Sequence, residues 1–201
     1  MITLVSEKIW DFDLREALEG MSAQRREQAL KFKHELGQRL NVLAYQLLKQ
    51  GLREGYGITE NPLFEYSEHG KPAIVGHPEI CFNLSHCKEA VACVISTEPV
   101  GIDVESIREY KDGIARYAMN DEEFQQIQTA AEPAAEFIRL WTMKESALKL
   151  IGTGISNDLK TVLVDYPQFR FATNVCSNYI YTVCSVCQAV EKRKMAQIGD
   201  D

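Results

Sequence analysis

Two acids spaced two residues apart on a strand are the first side chains in this sequence whose type and spacing could do chemistry. In Val100-Gly101-Ile102-Asp103-Val104-Glu105 the apolar Val100, Ile102 and Val104 alternate with Gly101, Asp103 and Glu105. A strand would turn both carboxylates to one side, with their backbones roughly 6–7 Å apart. Acids at that spacing can converge on one hard cation, and Mg²⁺ takes one or two carboxylates and completes its shell with water and phosphate oxygens. Gly101, without a side chain, is expected to keep that face open. The same residues also fit a half-buried strand with a solvated acidic face, and alone they do not decide.

A second constellation is Leu140-Trp141-Thr142-Met143-Lys144-Glu145-Ser146-Ala147-Leu148-Lys149. Its pattern is helical, and steps of 100° put Trp141, Glu145 and Lys149 on one edge. Glu145 and Lys149 could be an ordinary surface ion pair of neighbouring turns. Lys144 resists so plain an account. It falls inside the apolar stripe of Phe137, Leu140, Leu148 and Ile151, where an ammonium is costly unless it snorkels or meets an anion. A buried carboxylate or a bound phosphate would satisfy it.

The third is Lys71-Pro72 followed by Cys81-Phe82-Asn83-Leu84-Ser85-His86, an apolar run ending in three polar side chains able to hydrogen-bond a phosphate. A simple Asn/Ser/His turn at a strand end is the alternative.

These residues must be held by regular elements. A helical pattern starts at Ser22, a candidate N-cap, and runs to about Gln50, with Leu36, Leu40, Leu43, Ala44 and Leu47 at the 3.6 period and Gly51 as its stop. Ile80–Leu84, Ala90–Ser96 and Val100–Glu105 read as strands, with Thr97-Glu98-Pro99 as a tight connection. A second helical region runs from the cap candidate Asn120, through a break near Pro133, to Ile151, where Gly152 and Gly154 end it. Thr161–Gln188 reads as strands again. The order helix, sheet, helix, sheet predicts an α+β protein of two halves, 1–97 and 98–201.

The 201 residues, 45% hydrophobic and 25% charged, suit a globular chain with a real core. A net charge of -7 with no basic, aromatic-rich stretch argues against a nucleic-acid binder. Residues 1–13 mix Ile2, Leu4 and Val5 with Glu7, Lys8, Asp11 and Asp13, so no signal core is expected, and the lack of any run of about 18 apolar residues argues against an ordinary membrane span. The expected setting is the cytoplasm. Six cysteines (Cys81, Cys87, Cys93, Cys176, Cys184, Cys187) include a C-x-x-C, but Tyr179–Cys187 reads as a strand that would turn Cys184 and Cys187 to opposite faces. Reduced structural thiols are therefore expected.

Taken together, Phe82-Asn83-Leu84-Ser85-His86, Gly101-Ile102-Asp103-Val104-Glu105 and Trp141-Thr142-Met143-Lys144-Glu145-Ser146 with Lys149, preceded by Gly70-Lys71-Pro72, resemble the signature motifs of the Sfp-type 4'-phosphopantetheinyl transferases. The resemblance covers roughly residues 22–155. It implies a pseudo-dimer of two similar α/β halves, each with helices packed on a small antiparallel sheet, and with coenzyme A and Mg²⁺ in the cleft between them. It also implies Asp103, Glu105 and Glu145 as metal ligands, with Asp103, Glu145 and Lys149 as catalytic residues. Arg25, Lys71, Ser85, His86, Lys144 and Lys149 become coenzyme A contacts, His86 at the 3'-phosphate. Gln28 stands where a second basic residue is common, and Arg39 is a further candidate contact.

The implied activity is Mg-dependent transfer of 4'-phosphopantetheine from coenzyme A to a serine of an apo acyl or peptidyl carrier protein, by a monomer. Because such carriers are acidic, Arg108, Lys111 and Arg116 are docking candidates. The alternatives are a Mg-dependent phosphoanhydride hydrolase using the same acids and a non-catalytic coenzyme A-binding module.

Overall fold

The computed structural model describes residues 1–152 and 159–186; Gly154, Cys187 and Gln188 lie outside the described residues. The chain runs β1 (Ile2–Ser6), α1 (Leu14–Glu19), α2 (Ala23–Leu30), α3 (Glu35–Tyr56), β2 (Phe64–Tyr66), β3 (Pro72–Ile74), β4 (Cys81–His86), β5 (Val91–Ser96) and β6 (Val100–Ser106). It continues with α4 (Asp112–Ala118), α5 (Asp121–Thr129), α6 (Pro133–Ile151), α7 (Val162–Asp165), β7 (Phe169–Val175) and β8 (Tyr179–Val186). The fold is α+β, with antiparallel sheets ordered β1-β5-β4, β2-β3 and β6-β8-β7.

The two three-stranded sheets share one plan. In each, a first strand is followed by helices and then by an antiparallel hairpin whose second strand enters the middle of the sheet, between its own hairpin partner and the first strand. One long helix, α3 in the first set and α6 in the second, packs on each sheet. The small β2-β3 hairpin has no counterpart in the second set among the described residues.

Several expected boundaries shift. The single helix from Ser22 to Gln50 is two helices: Ser22 does cap α2, its Oγ accepting from the Arg25 N–H at 3.4 Å, but the chain breaks at 31–34 before α3 starts. Gly51 does not stop α3, which runs on to Tyr56. It is a close-approach site instead, since a Cβ there would sit 2.5 Å from Ile95 Cδ1 of the sheet beneath. Asn120 forms a full capping box with Glu123, and Pro133 opens α6 as its first residue. The start of the tail is the short α7 rather than a strand.

Three apolar cores result. One lies between α3 and the β1-β5-β4 sheet, centred on Tyr45, Leu48, Leu52, Cys93 and Ile95. Another lies between α6 and the β6-β8-β7 sheet, with Leu140, Ala147, Leu148 and Ile180. The third joins the halves: Ala92 and Val94 of β5 meet Val100, Ile102 and Val104 of β6 and Val183 of β8. The alternation read in β6 therefore holds, but both of its faces are covered, and Asp103 is only 3% exposed.

The face of β6 that carries Gly101 and Asp103 is closed by α6, contrary to the open face expected. A Cβ on Gly101 would lie 2.0 Å from the Ser146 carbonyl oxygen and 2.6 Å from the Leu150 nitrogen. Glycine here lets a helix backbone rest directly on a strand, and that approach brings Glu145 and Lys149 over the acidic strand.

Lys144 is fully buried (0% exposed), with Nζ 2.7 Å from Glu123 Oε2 and donating to the Leu159 carbonyl at 2.6 Å. Of the two ways to satisfy it, the molecule uses the carboxylate. This corrects its expected place as a coenzyme A contact: the ammonium is enclosed between α5, α6 and the chain at Leu159, and no substrate can reach it. Cys87, Cys93 and Cys184 are buried, and Cys81 and Cys176 are half-buried. Cys81, Cys87, Cys93, Cys176 and Cys184 are free, and burial pushes Cys184 up to about 12.

Two stability outcomes follow. Gly101→Ala should destabilise by about 1–3 kcal/mol or more, because helix backbone rather than a flexible side chain must give way; an unchanged urea midpoint would refute the close approach. Removing one partner of a buried ion pair costs about 3–5 kcal/mol, so Lys144→Met should lose that much and Lys144→Met/Glu123→Leu should recover most of it. Additive losses in the double variant would contradict the pairing.

Candidate active site

β4 and β6 are the facing edges of the two main sheets, and side chains join them where a backbone ladder would otherwise run. Asn83 Oδ1 accepts from the Ile102 N–H at 3.0 Å, and Ser85 Oγ accepts from the Val104 N–H at 3.2 Å. Residues two apart on β4 thus serve N–H groups two apart on β6, as strand periodicity requires.

Ser85 then builds the centre of the site. Its hydroxyl donates to Asp103 Oδ1 at 2.9 Å, and Lys149 Nζ donates both to Ser85 Oγ at 2.9 Å and to Asp103 Oδ1 at 2.6 Å. A hydroxyl has one donor and two lone pairs, and all three are used within the protein. In this arrangement Ser85 has no capacity left for coenzyme A, so the coenzyme A contact expected of it is not offered; it locks Asp103 and Lys149 in place. Lys149 is taken by these two partners rather than by Glu145, so the surface pair considered from the sequence is not formed.

Two carboxylate oxygens in the site, Asp103 Oδ2 and Glu145 Oε1, are buried without a hydrogen-bond partner among the described residues. Burial pushes the Glu145 carboxyl up, and the negative charge of Asp103 pushes it further, against the opposing pull of Lys149. Glu105 is raised in the same way, by burial first and by the Asp103 charge next, while Arg108, 3.8 Å away, opposes. Stranded acceptors in a field of like charges are the setting that a divalent cation relieves. Among the described residues no three His, Cys, Asp or Glu side chains form a ready-made metal cage. The stranded Asp103 Oδ2 and Glu145 Oε1 are hard oxygen donors, the kind of which Mg²⁺ takes one or two while drawing its other ligands from water and phosphate.

A cleft of about 210 Å³ adjoins Glu145 and Lys149, walled also by His69, Lys71 and Asn83. Lys71 reaches across from the other half and donates to the Leu150 carbonyl at 2.7 Å, near the C-terminus of α6, where a cation is favoured. Burial lowers its pKa. His86 ends β4 with much of its residue exposed; partial desolvation of its ring, and then the Lys149 charge, lower its pKa. Between the end of β6 and the N-terminal half of α6, a groove of about 420 Å³ is lined by Glu105, Arg108, Glu109, Lys111 and the apolar Tyr110, Ile114 and Trp141.

Two expected contacts stand apart from the cleft. Arg25 is 5% exposed and bound to Gln28 Oε1 at 2.7 Å and Asn41 Oδ1 at 3.0 Å, beneath Tyr45 and Phe64. That corrects its expected coenzyme A contact, since its guanidinium is buried inside the first half, both terminal nitrogens bonded and Nε enclosed without a partner among the described residues, and Gln28 is one of the residues holding it. Arg39 donates to the Phe12 carbonyl at 2.9 Å and pairs with Glu35, fixing the loop after β1. Arg116 lies over the Phe124 ring at 4.2 Å, whereas Arg108 and Lys111 do reach the groove. The bridging role of Asn83 and the part of Glu123 as partner to Lys144 were missed in sequence reasoning. Only the capping-box spacing Asn120–Glu123 could have drawn attention to the second: Glu123 Oε2 accepts from the Asn120 N–H at 2.9 Å and the same oxygen lies 2.7 Å from Lys144 Nζ.

A family model of the 4'-phosphopantetheinyl transferase superfamily matches residues 99–189, the segment that carries β6 and α6. Similar proteins include a 4'-phosphopantetheinyl transferase of Bacillus subtilis, 30% identical over 72% of this chain and 66% of its own length. The 4'-phosphopantetheinyl transferase psf-1 of Bacillus pumilus is 34% identical over 70% of this chain and 62% of its own length. The 4'-phosphopantetheinyl transferase gsp of Aneurinibacillus migulanus is 40% identical over 54% and 46%. The chain thus spans just under two thirds, or less, of the length of these relatives. With the three motifs assembled around one cleft and each of these similarities pointing the same way, the chain belongs to the 4'-phosphopantetheinyl transferase superfamily.

Proposed function

We propose that this protein transfers the 4'-phosphopantetheine group of coenzyme A to a serine of an apo acyl or peptidyl carrier protein, releasing 3',5'-ADP. The observation that carries the reading is the convergence of Asp103, Glu145 and Lys149 beside a cleft walled by Lys71, with two stranded carboxylate oxygens in the site. The first half, 1–97, supplies Lys71, Ser85 and His86, and the second, 98–201, supplies the acids and Lys149. One chain therefore holds every proposed group, and it acts as a monomer in the cytoplasm. No helix among the described residues is long and apolar enough to cross a membrane.

In the reaction, the serine oxygen forms a bond to the β-phosphorus of coenzyme A while the bond from that phosphorus to the departing 3',5'-ADP breaks. Such transfer is driven mainly by positioning and charge stabilisation. Asp103 and Glu145, with Glu105 as third acid, would hold a Mg²⁺ ion, which when bound would supply charge neutralisation for the transfer. Lys149, fixed by Ser85 and Asp103, adds a cation whose place is set before substrate arrives. Lys71 exchanges the Leu150 carbonyl for a phosphate oxygen, and His86 meets the 3'-phosphate, whose charge would raise its lowered pKa. Glu145 takes the serine proton, directly or across one water, because its helix also carries the phosphate-binding lysine. The carrier approaches the groove on the Glu105 side, where Arg108 and Lys111, beside Glu105 and Glu109, flank apolar Ile114 and Trp141.

Incubation with an apo acyl carrier protein, coenzyme A and Mg²⁺ should add one phosphopantetheine to the carrier, read by mass spectrometry, and EDTA should prevent it. Coenzyme A cleavage without carrier modification would favour the hydrolase instead. Glu145→Gln should cut transfer by about 100-fold or more. A carboxyl whose folded pKa is raised costs stability once it ionises, so the same variant should melt no lower than the wild type at pH 7 and lose any advantage near pH 4. A lower melting temperature at pH 7 would contradict the strained placement of Glu145.

A further inference from the structure

The seam between the halves does not end at Ser85. Its rungs advance two residues at a time on both strands, Asn83 to Ile102 and Ser85 to Val104, and the next step falls on Cys87 and on Ser106, the last residue of β6. There the Cys87 thiol meets the Ser106 hydroxyl. Glu89, from the turn between β4 and β5, reaches the same point, and Ser106 Oγ donates to Glu89 Oε2. The other oxygen of that carboxylate lies 3.2 Å from Lys88 Nζ. Ser106 is buried, and its hydroxyl has a single proton to give, so its orientation is set by Glu89. A third rung, of the stronger charge-assisted kind, thus ties the tip of the first half's hairpin to the end of β6.

Glu105 stands one residue before Ser106. Successive side chains of a strand point to opposite faces, so a strand end held through Ser106 presents Glu105 on the other face, which it shares with Asp103. Glu105 sits there against its preference: burial and the Asp103 charge push its carboxyl up, while the exposed Arg108, 3.8 Å away, offers it another partner. An acid under such repulsion keeps its place only if its backbone is fixed, and β6 has one residue left after it. We propose that Glu89 and Ser106 are positioning residues for the metal site, holding the end of β6 so that the Glu105 carboxylate stays beside Asp103 and Glu145. The charges acting on the Glu105 carboxyl are those of Asp103, Arg108, Lys149 and Glu145; the link from Glu89 runs through the strand.

The inference rests on the proposed metal site, and ion binding by the free protein separates the two. Mn²⁺, a spin-bearing stand-in for Mg²⁺, is titrated into the protein and followed by electron paramagnetic resonance. Residues that orient a metal ligand are worth roughly 10–100-fold in affinity. Glu89→Ala and Ser106→Ala should each raise the Mn²⁺ dissociation constant about 10-fold, and Glu89→Gln, which keeps an oxygen for the Ser106 hydroxyl, should retain most of the wild-type affinity. Glu105 distinguishes positioning from a merely structural role: in a Glu105→Gln background, Glu89→Ala should weaken Mn²⁺ binding no further. An unchanged dissociation constant in folded Glu89→Ala, or the same loss with and without the Glu105 carboxylate, overturns the inference. Should Glu89→Ala not fold, Ser106→Ala cuts the same bond from the other side and carries the same test. Absence of Mn²⁺ binding by the wild type would sink the proposed metal site itself, and this inference with it.

Discussion

The fold depends on a seam in which side chains stand in for backbone. Two strand edges with unpaired N–H groups are costly when buried, and β4 and β6 meet through Asn83 and Ser85 rather than through a ladder. Side chains reach further than a backbone carbonyl, so the edges stand apart while their donors are satisfied. Into that gap the site is placed. The same hydroxyl that accepts from Val104 also orients Asp103 and receives Lys149, so joining the halves and ordering the charged groups are one event. The third core, of β5, β6 and β8 residues, holds the edges at that spacing from behind.

Against this seam α6 is pressed as tightly as a helix can be. Gly101 removes the Cβ that would hold it off, and the buried Lys144–Glu123 pair anchors its opposite face. The outcome is a helix fixed on both sides, with Glu145 and Lys149 on the edge that remains. Lysines five residues apart on one helix have opposite uses: Lys144 is structural because its surroundings exclude water, and Lys149 is poised because its partners lie at a cleft. Stability and reactivity are therefore opposed within the site. Burial and mutual repulsion raise Glu105 and Glu145, a cost that a divalent cation and the substrate phosphates would offset on binding.

Much of this was legible in the residues. Alternation in Val100–Glu105 gave the strand and the shared face of its acids, and the helical wheel of 140–149 singled out Lys144 and its need for an anion. The cap signals at Ser22 and Asn120 placed helix starts, and the break expected near Pro133 is where α6 begins. What the sequence hid was long-range. β1 pairs with β5 some ninety residues later in the chain and reads as nothing special on its own. Gly51 looked like a stop because glycine usually is, yet tertiary packing on Ile95 explains it. Gly101 looked like an opening for the same reason. Asn83 and Ser85 read as phosphate ligands since their spacing on a strand end gives no hint that another sheet edge, beginning at residue 100, claims their oxygens first. Arg25 likewise could be placed on a helix but not inside an aromatic pocket built by Tyr45 and Phe64.

The claim that side chains on β4 form the seam is tested most directly by amide hydrogen exchange at β6. The Ile102 and Val104 amides should be protected to the level of neighbouring amides bonded to β8, and Ser85→Ala should selectively expose Val104 while Ile102, held by Asn83, stays protected. Fast exchange at both positions in the wild type, or a Val104 amide indifferent to Ser85, would contradict the seam and the account of the site built on it.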